Sequence, residues 1–175
     1  ANSQAHIPPE KRPLGFVFQD FVLFPHLTIR KNIAFGLSDL ESGERTSRTD
    51  AELKAVDLFD YGDRFPHQLS GGQQQRAALA RSFARRPRAM LLDEPFASID
   101  IALRQRLRAE MRRLLKSRLT PTIFDTHDPT EAIELGDRVA VMRNGRIIET
   151  ATPERLFKAP RTVSAATIFP GSQAI

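Results

Sequence analysis

The 175-residue sequence contains no cysteine and no tryptophan. Without cysteine the chain can form neither disulfides nor zinc–thiolate or iron–sulfur sites, and it has no thiol nucleophile. It also lacks any apolar run near the roughly 18 residues of a membrane-spanning helix, and its first residues, ANSQAHIPPEKR, have no signal-peptide core. The composition, 41% hydrophobic and 27% charged, is typical of a globular domain. We therefore expect a folded domain that does not insert into a membrane by itself.

The net charge of +5 comes from 26 Lys and Arg against 21 Asp and Glu. Such a balance is compatible with binding to nucleic acid or to an anionic membrane. Much of the excess, however, lies in residues 101–119, where leucines recur at helical spacing and arginines fill other positions. No aromatic side chains that could stack on bases lie between these arginines. The pattern favours a solvated helix face over a nucleic-acid site.

Short apolar runs alternate with helical patterns, which predicts an α/β domain with a mainly parallel sheet. Strands are expected at residues 14–18, 89–92, 122–126, 138–142 and 146–149, the last two joined by an Asn-Gly turn. Helices are expected from about Thr28, after Ser70, over 101–119 and over 130–135.

Residues 37–50 are polar and show no periodicity, so we expect a solvated connection there. Thr49 and Glu52 have the spacing of a capping pair. They predict that a helix opens at this point, with Leu53, Val56 and Phe59 on its apolar face.

Polar side chains follow three of the predicted strands: Gln19 after the first, Asp93 and Glu94 after the second, and His127 after the third. In parallel α/β sheets, ligands bind beyond the carboxyl ends of the strands. Two carboxylates at the end of a buried strand are costly to desolvate, which favours a role in binding a cation or in transferring a proton. The alternative is that the pair caps a helix. A single Gln or His at a strand end is usually only a satisfied polar group, so the convergence is the informative feature.

The segment LSGGQQQR at residues 69–76 opens an Ala-rich helix. Ser70 and Gln73 have capping-box spacing. Gly71 and Gly72 leave the backbone N–H groups of the helix entrance open to an anion. Taken alone, a capped Gly-Gly helix start is more often structural than functional.

Taken in order, four segments resemble the motifs of ATP-binding cassette (ABC) ATPases. LSGGQQQR is similar to the signature motif and MLLDEPFASID, residues 90–100, to the Walker B, catalytic glutamate and D-loop run. FVFQD, residues 16–20, is similar to the Q-loop, and DTHD, residues 125–128, to the His switch. The segments FPHLTIRKNIAFGL and GRIIETATPERLFKAP resemble importer subunits for ferric iron, molybdate, sulfate and polyamines, with the ferric-iron type nearest.

The resemblance implies a P-loop NTPase-like fold with a mainly parallel sheet and an inserted helical subdomain. Residues 1–19 would form the Q-loop strand, and residues 20–87 the helical subdomain and signature helix. Residues 88–175 would contain the Walker B, D-loop and His-switch segments and the C-terminal α/β part.

The resemblance also implies a role for each motif residue. Asp93, with Gln19, would hold Mg²⁺, and Glu94 would orient or deprotonate the water that attacks ATP. Gln19 would also sense that water, and His127 would donate a hydrogen bond to the γ-phosphate. A second group would act in trans on nucleotide held by another subunit of a head-to-tail dimer: Ser70, Gly71, Gly72, Gln73 and Asp100.

The implied partners are a second ATPase subunit, transmembrane permease subunits and a solute-binding protein, and no nucleic acid is expected. The helical segment between Gln19 and Ser70 would face the permease. This arrangement would place the ATPase peripherally on the cytoplasmic face of the inner membrane.

The Walker A loop, G-x-x-x-x-G-K-[ST], is required by the resemblance but absent from the sequence. Only 18 residues precede Gln19, and none of the five lysines follows a glycine. We expect a piece that lacks the N-terminal strands and Walker A helix, is inactive alone and has an open apolar sheet face. Asp125, where the family usually has an apolar residue, would be costly to bury. The alternatives are a non-catalytic ABC partner that donates only its signature motif, and a non-transport ABC ATPase acting on nucleic acid.

Overall fold

The computed structural model describes residues 7–97, 99 and 101–169. The strands in this part of the chain are Leu14–Val17 (β1), Ala89–Asp93 (β2), Thr122–Asp125 (β3), Val139–Arg143 (β4) and Arg146–Ala151 (β5). The α-helices are Ile29–Ala34 (α1), Ser42–Ala55 (α2), Gly71–Ala84 (α3), Ile101–Arg118 (α4), Pro129–Leu135 (α5), Pro153–Lys158 (α6) and Val163–Ile168 (α7). The chain divides into two compact units, Ala1–Ile101 with Leu114–Asp125 and Ala102–Arg113 with Thr126–Ile175.

The first unit contains a parallel sheet in the order β1-β2-β3, which confirms the α/β prediction. Side chains alternate between its faces, so Val17, Met90 and Leu92 are buried together on one side. The opposite face exposes Leu14 and Ile123, with relative exposures of 46% and 69%. This agrees with the expectation of an open apolar face.

The helical part of the first unit is built around one apolar cluster to which α1, α2 and α3 all contribute. Its members are Ile29, Ile33, Leu37, Leu53, Val56, Leu58, Leu69, Ala77, Ala80 and Ala84. Helix α1 begins after Thr28, whose hydroxyl accepts a hydrogen bond from the backbone N–H of Lys31. The predicted helix start near Thr28 is therefore confirmed.

The prediction for residues 37–50 was wrong. Helix α2 begins at Ser42, and Thr49 lies inside it, with its hydroxyl donating to the Arg45 carbonyl at 2.8 Å. Only a narrow stripe of α2 is buried, so its composition is almost entirely polar and conceals the helix. Phe59 lies beyond α2 in a short 3₁₀ segment and is 39% exposed, so it is not part of the predicted apolar face.

The second unit contains the antiparallel hairpin β4-β5 and helices α5, α6 and α7. Asn144 and Gly145 both have positive φ, as the Asn-Gly turn predicted. The apolar cluster of this unit comprises Val141, Ala151, Leu156, Ala165 and Phe169. Helices α6 and α7 were not predicted. Among the described residues, no helix combines the length and apolar character that crossing a membrane requires.

Candidate functional site

The parallel sheet places Gln19, Asp93 and Glu94 at one edge. β1 and β2 are parallel, so the residues that end or follow these strands lie at the same end of the sheet, beyond the carboxyl ends of the strands. Gln19 is exposed, whereas Asp93 and Glu94 are half-buried. Asp125, paired in register with Asp93, is exposed, so this chain does not incur the cost of burying it. The structure thus places three of the predicted site residues at the same end of the sheet.

Glu94 begins a turn with an unusual backbone. Its φ is +40°, in the left-handed region that residues with a side chain rarely adopt. The turn closes through a hydrogen bond of 3.1 Å from the Ala97 N–H to the Glu94 carbonyl. Within it, the Pro95 carbonyl accepts a hydrogen bond from Nε2 of Gln75 at 2.5 Å. Helix α3 therefore holds the backbone directly after Glu94.

The first turn of α3 has the predicted capping box. Ser70 Oγ accepts from the Gln73 N–H at 3.4 Å, and Gln73 Oε1 accepts from the Ser70 N–H at 2.9 Å. Gly71 is exposed, and a Cβ built on it would meet no atom within 4 Å. Gly72, the next residue, is buried. The helix start therefore offers backbone donors and a partial positive charge to an anion that approaches from outside.

Helix α3 also holds the chain that follows Gln19. The Arg81 guanidinium donates to the Val22 carbonyl at 2.9 Å and to the Phe21 carbonyl at 3.2 Å, and it lies 5.2 Å from the centre of the Phe24 ring. Burial lowers the pKa of Arg81. The same helix therefore holds both the segment after Gln19 and the turn after Glu94.

His127 lies in the second unit, exposed, just before α5. Hydrogen bonds of the adjacent residues hold the segment around His127. The Asp128 N–H donates to Thr126 Oγ1 at 3.0 Å, and the Thr126 hydroxyl donates to the Glu131 carboxylate. Asp128 caps α5 by accepting from the Thr130 N–H at 2.8 Å. Asp100, the remaining predicted site residue, lies outside the described residues.

Arg108 of α4 supports the same segment from the helix side. Its Nε lies 2.7 Å from Glu134 Oε2, and its Nη1 lies 3.7 Å from Asp128 Oδ2. Arg112 donates to the carbonyl of Glu134. Arg108 and Arg112 are thus engaged in ion pairs and a hydrogen bond within their own unit.

Across the part of the chain that the structure describes, no three His, Asp or Glu side chains are gathered into a metal site. Mg²⁺ typically takes one or two protein carboxylates and completes its shell with water and substrate phosphates. The oxygen donors of Asp93 and Gln19 at the sheet edge fit an ion held in this way.

Gln75 was not among the predicted site residues. It is only 2% exposed, on the same face of α3 as Ala78 and Leu79, which are also buried. Helical spacing would have placed this polar side chain on the buried face. A buried amide needs a hydrogen-bond partner, and this signal could have identified it.

Comparisons with known proteins agree on one family. The model of the family described as "ABC transporter" matches residues 2–97. The sulfate/thiosulfate import ATP-binding protein CysA of Caulobacter vibrioides is 48% identical, over 86% of this chain and 46% of its own length. The Fe(3+) ions import ATP-binding protein FbpC of Haemophilus influenzae is 42% identical, over 92% of this chain and 46% of its own length.

A third relative is named for another solute: the spermidine/putrescine import ATP-binding protein PotA of Marinobacter nauticus. It is 41% identical, over 95% of this chain and 47% of its own length. The chain thus spans about half the length of the curated relatives it matches. Together with the family match over residues 2–97, these similarities show that the chain belongs to the ABC transporter family.

Proposed function

We propose that this chain is part of the ATP-binding and ATP-hydrolysing subunit of an ABC importer. The observation that supports the proposal most directly is the placement of Gln19, Asp93 and Glu94 at the carboxyl edge of one parallel sheet. In the same unit, the capped first turn of α3 presents the signature segment. The relatives named above are import ATP-binding proteins, which agrees with this assignment.

At the sheet edge, Asp93 and Gln19 would hold Mg²⁺ through their side-chain oxygens. When bound, this ion would neutralise part of the negative charge of the ATP phosphates. Glu94 orients the attacking water and accepts its proton. His127 donates a hydrogen bond to the γ-phosphate.

The signature segment acts in trans in a head-to-tail dimer. Its residues close over ATP held by the second subunit: Ser70, Gly71, Gly72, Gln73 and Asp100. The open space around Gly71 supports this role, since no atom of the described residues lies within 4 Å of a Cβ built there. An approaching phosphate can therefore reach the backbone N–H groups of the first turn.

The partners of the assembled protein are permease subunits in the membrane and a solute-binding protein, with the ATPase peripheral on the cytoplasmic face. Closure of the dimer on ATP would move the helical part, residues 20–69, against the permease. Relatives named for sulfate/thiosulfate, ferric ions and polyamines match at 41–48% identity. The chain therefore carries features shared by these importers, and the solute, ferric iron or another ion, is selected by the other subunits.

The test uses the full-length protein from which this chain comes. Glu94→Gln should retain ATP binding and trap an ATP-bound dimer, visible by size-exclusion chromatography, while hydrolysis falls by about 10²–10⁴-fold, the usual contribution of a general base. The matched control is Glu154→Gln, an exposed carboxylate paired with Lys158. Normal hydrolysis in Glu94→Gln would remove Glu94 from the mechanism.

A further inference from the structure

We propose that Gln75 is a positioning residue for Glu94, and that through it α3 links the signature segment to the hydrolytic carboxylate of the same subunit. The inference rests on the proposed function of Glu94. Its basis is a buried side chain that joins α3 to the turn after Glu94.

The turn at Glu94 needs an external support. A residue with a side chain at φ +40° persists only where its surroundings hold it there. The hydrogen bond from the Ala97 N–H to the Glu94 carbonyl closes the turn from within. The amide of Gln75 fixes the Pro95 carbonyl, one peptide unit further along, from outside the turn. The direction of the Glu94 carboxylate therefore depends on where Gln75 holds this peptide.

The buried side chain of Gln75 is well suited to couple the position of α3 to that of the Pro95 peptide. It is 2% exposed, so its amide is shielded from competing water, and a buried hydrogen bond is stronger than an exposed one. Phe96, which follows Pro95, is 0% exposed and keeps the same turn packed. The contact is thus a rigid one and not a surface bond that solvent can replace.

The same helix carries the signature residues. Ser70 is the N-cap of α3, and Gln75 follows five residues later, about 7.5 Å along the axis at 1.5 Å per residue. Both residues lie within the first two turns of one continuous helix. When the first turn moves on closing over ATP of the second subunit, Gln75 moves with it and carries the Pro95 carbonyl. Each signature motif thereby reports its occupancy to the Glu94 of its own chain.

The experiment compares Gln75→Met with Gln105→Met in the full-length protein. Methionine keeps the approximate shape of glutamine but cannot donate to the Pro95 carbonyl. Gln105 is exposed on α4, so it controls for the chemical change. We expect kcat for ATP hydrolysis to fall about tenfold in Gln75→Met with KM for ATP unchanged, because losing one buried hydrogen bond misplaces the base without removing ATP contacts.

The second readout does not require activity. Hydrogen exchange at the amide of Ala97 should become faster in Gln75→Met, without ATP, while amides in the middle of α3 keep their wild-type rates. A structural role alone predicts the opposite pattern, with faster exchange throughout α3, a lower Tm and a raised KM. Wild-type kcat together with wild-type exchange at Ala97 also overturns the proposal.

Two outcomes separate this inference from the proposed function. If Glu94→Gln hydrolyses ATP normally, the proposed function fails, whereas exchange at Ala97 still reports whether Gln75 holds the turn. If Glu94→Gln is inactive but Gln75→Met is normal in both readouts, only the inference fails. Should Gln75→Met not fold, Gln75→Asn keeps a buried amide that is one methylene too short, and failure of both variants to fold assigns Gln75 to stability alone.

Discussion

Replacing Asn32 with alanine should destabilise the first unit by an amount that its hydrogen bonds define. Asn32 is 0% exposed. Its Oδ1 accepts from the Phe24 N–H at 2.8 Å, and its Nδ2 lies 3.1 Å from each of the Phe24, Leu27 and Thr28 carbonyls. It therefore holds the loop between Gln19 and α1 against the helix. Alanine leaves the Phe24 N–H without this acceptor, at a cost of about 1–3 kcal/mol, and removes packed volume as well.

We expect Asn32→Ala to lose about 2–3 kcal/mol of unfolding free energy, or about 4–12 °C in Tm for a domain of this size. Urea unfolding followed by circular dichroism measures it, with Lys31→Ala, an exposed neighbour on α1, as the control. Asn32→Asp should be at least as destabilising at neutral pH, because a carboxylate would face carbonyl oxygens. A loss below about 0.5 kcal/mol in Asn32→Ala, or a stable Asn32→Asp, would refute this reasoning.

Three further predictions follow from contacts described above. Gly71→Ala should leave Tm unchanged, because its Cβ would meet no atom of the described residues within 4 Å, but should lower ATP hydrolysis by the proposed dimer of the full-length protein at least tenfold by obstructing the first turn of α3; equal activity would contradict the proposed role in trans. Arg118→Ala should cost about 3 kcal/mol in urea unfolding, because Glu52, only 8% exposed, would lose both of its guanidinium contacts; the double replacement with Glu52→Gln should cost less than the single one. Burial raises the pKa of the Glu149 carboxyl, but hydrogen bonds from Arg161 and Thr162 outweigh this effect and hold the pKa below its ordinary value of 4.5. The ionised carboxylate therefore stabilises the fold above pH 4.5, and this stabilisation should be lost as the pH falls through the lowered pKa. In the wild type, the protection of α7 amides from hydrogen exchange should decrease at acid pH, and in Glu149→Gln this decrease should disappear. The same pH dependence in both proteins would contradict the prediction.

The elements with strong local signals could be predicted from the sequence. Ser70 and Gln73 specify a capping box by spacing alone, and the structure confirms it. The apolar runs before Gln19 and Asp93 predicted two parallel strands, and strand direction alone then brings the residues after them to one edge. These features depend on a few residues that are adjacent or nearly adjacent in the chain.

Features that depend on distant residues were missed. Helix α2 was concealed because tertiary packing buries only a narrow stripe of it, and its Glu52 is satisfied by Arg118, 66 positions away. The bond from Gln75 to Pro95 joins residues 20 positions apart, so no local pattern contains it. Burial of a polar side chain on an Ala-rich helix was the available signal, but its partner depends on how the helix packs.

The left-handed backbone at Glu94 places stability and activity in opposition at a single position. Glycine would adopt φ +40° without strain, so Glu94→Gly should raise the unfolding free energy by about 1 kcal/mol, while removing the carboxylate that we propose accepts the proton of the attacking water. Selection for a more stable chain would therefore replace this residue, and selection for the proposed ATPase activity would retain it. Stabilised variants obtained by screening for folding alone should accumulate glycine at this position and lose ATP hydrolysis as they do so.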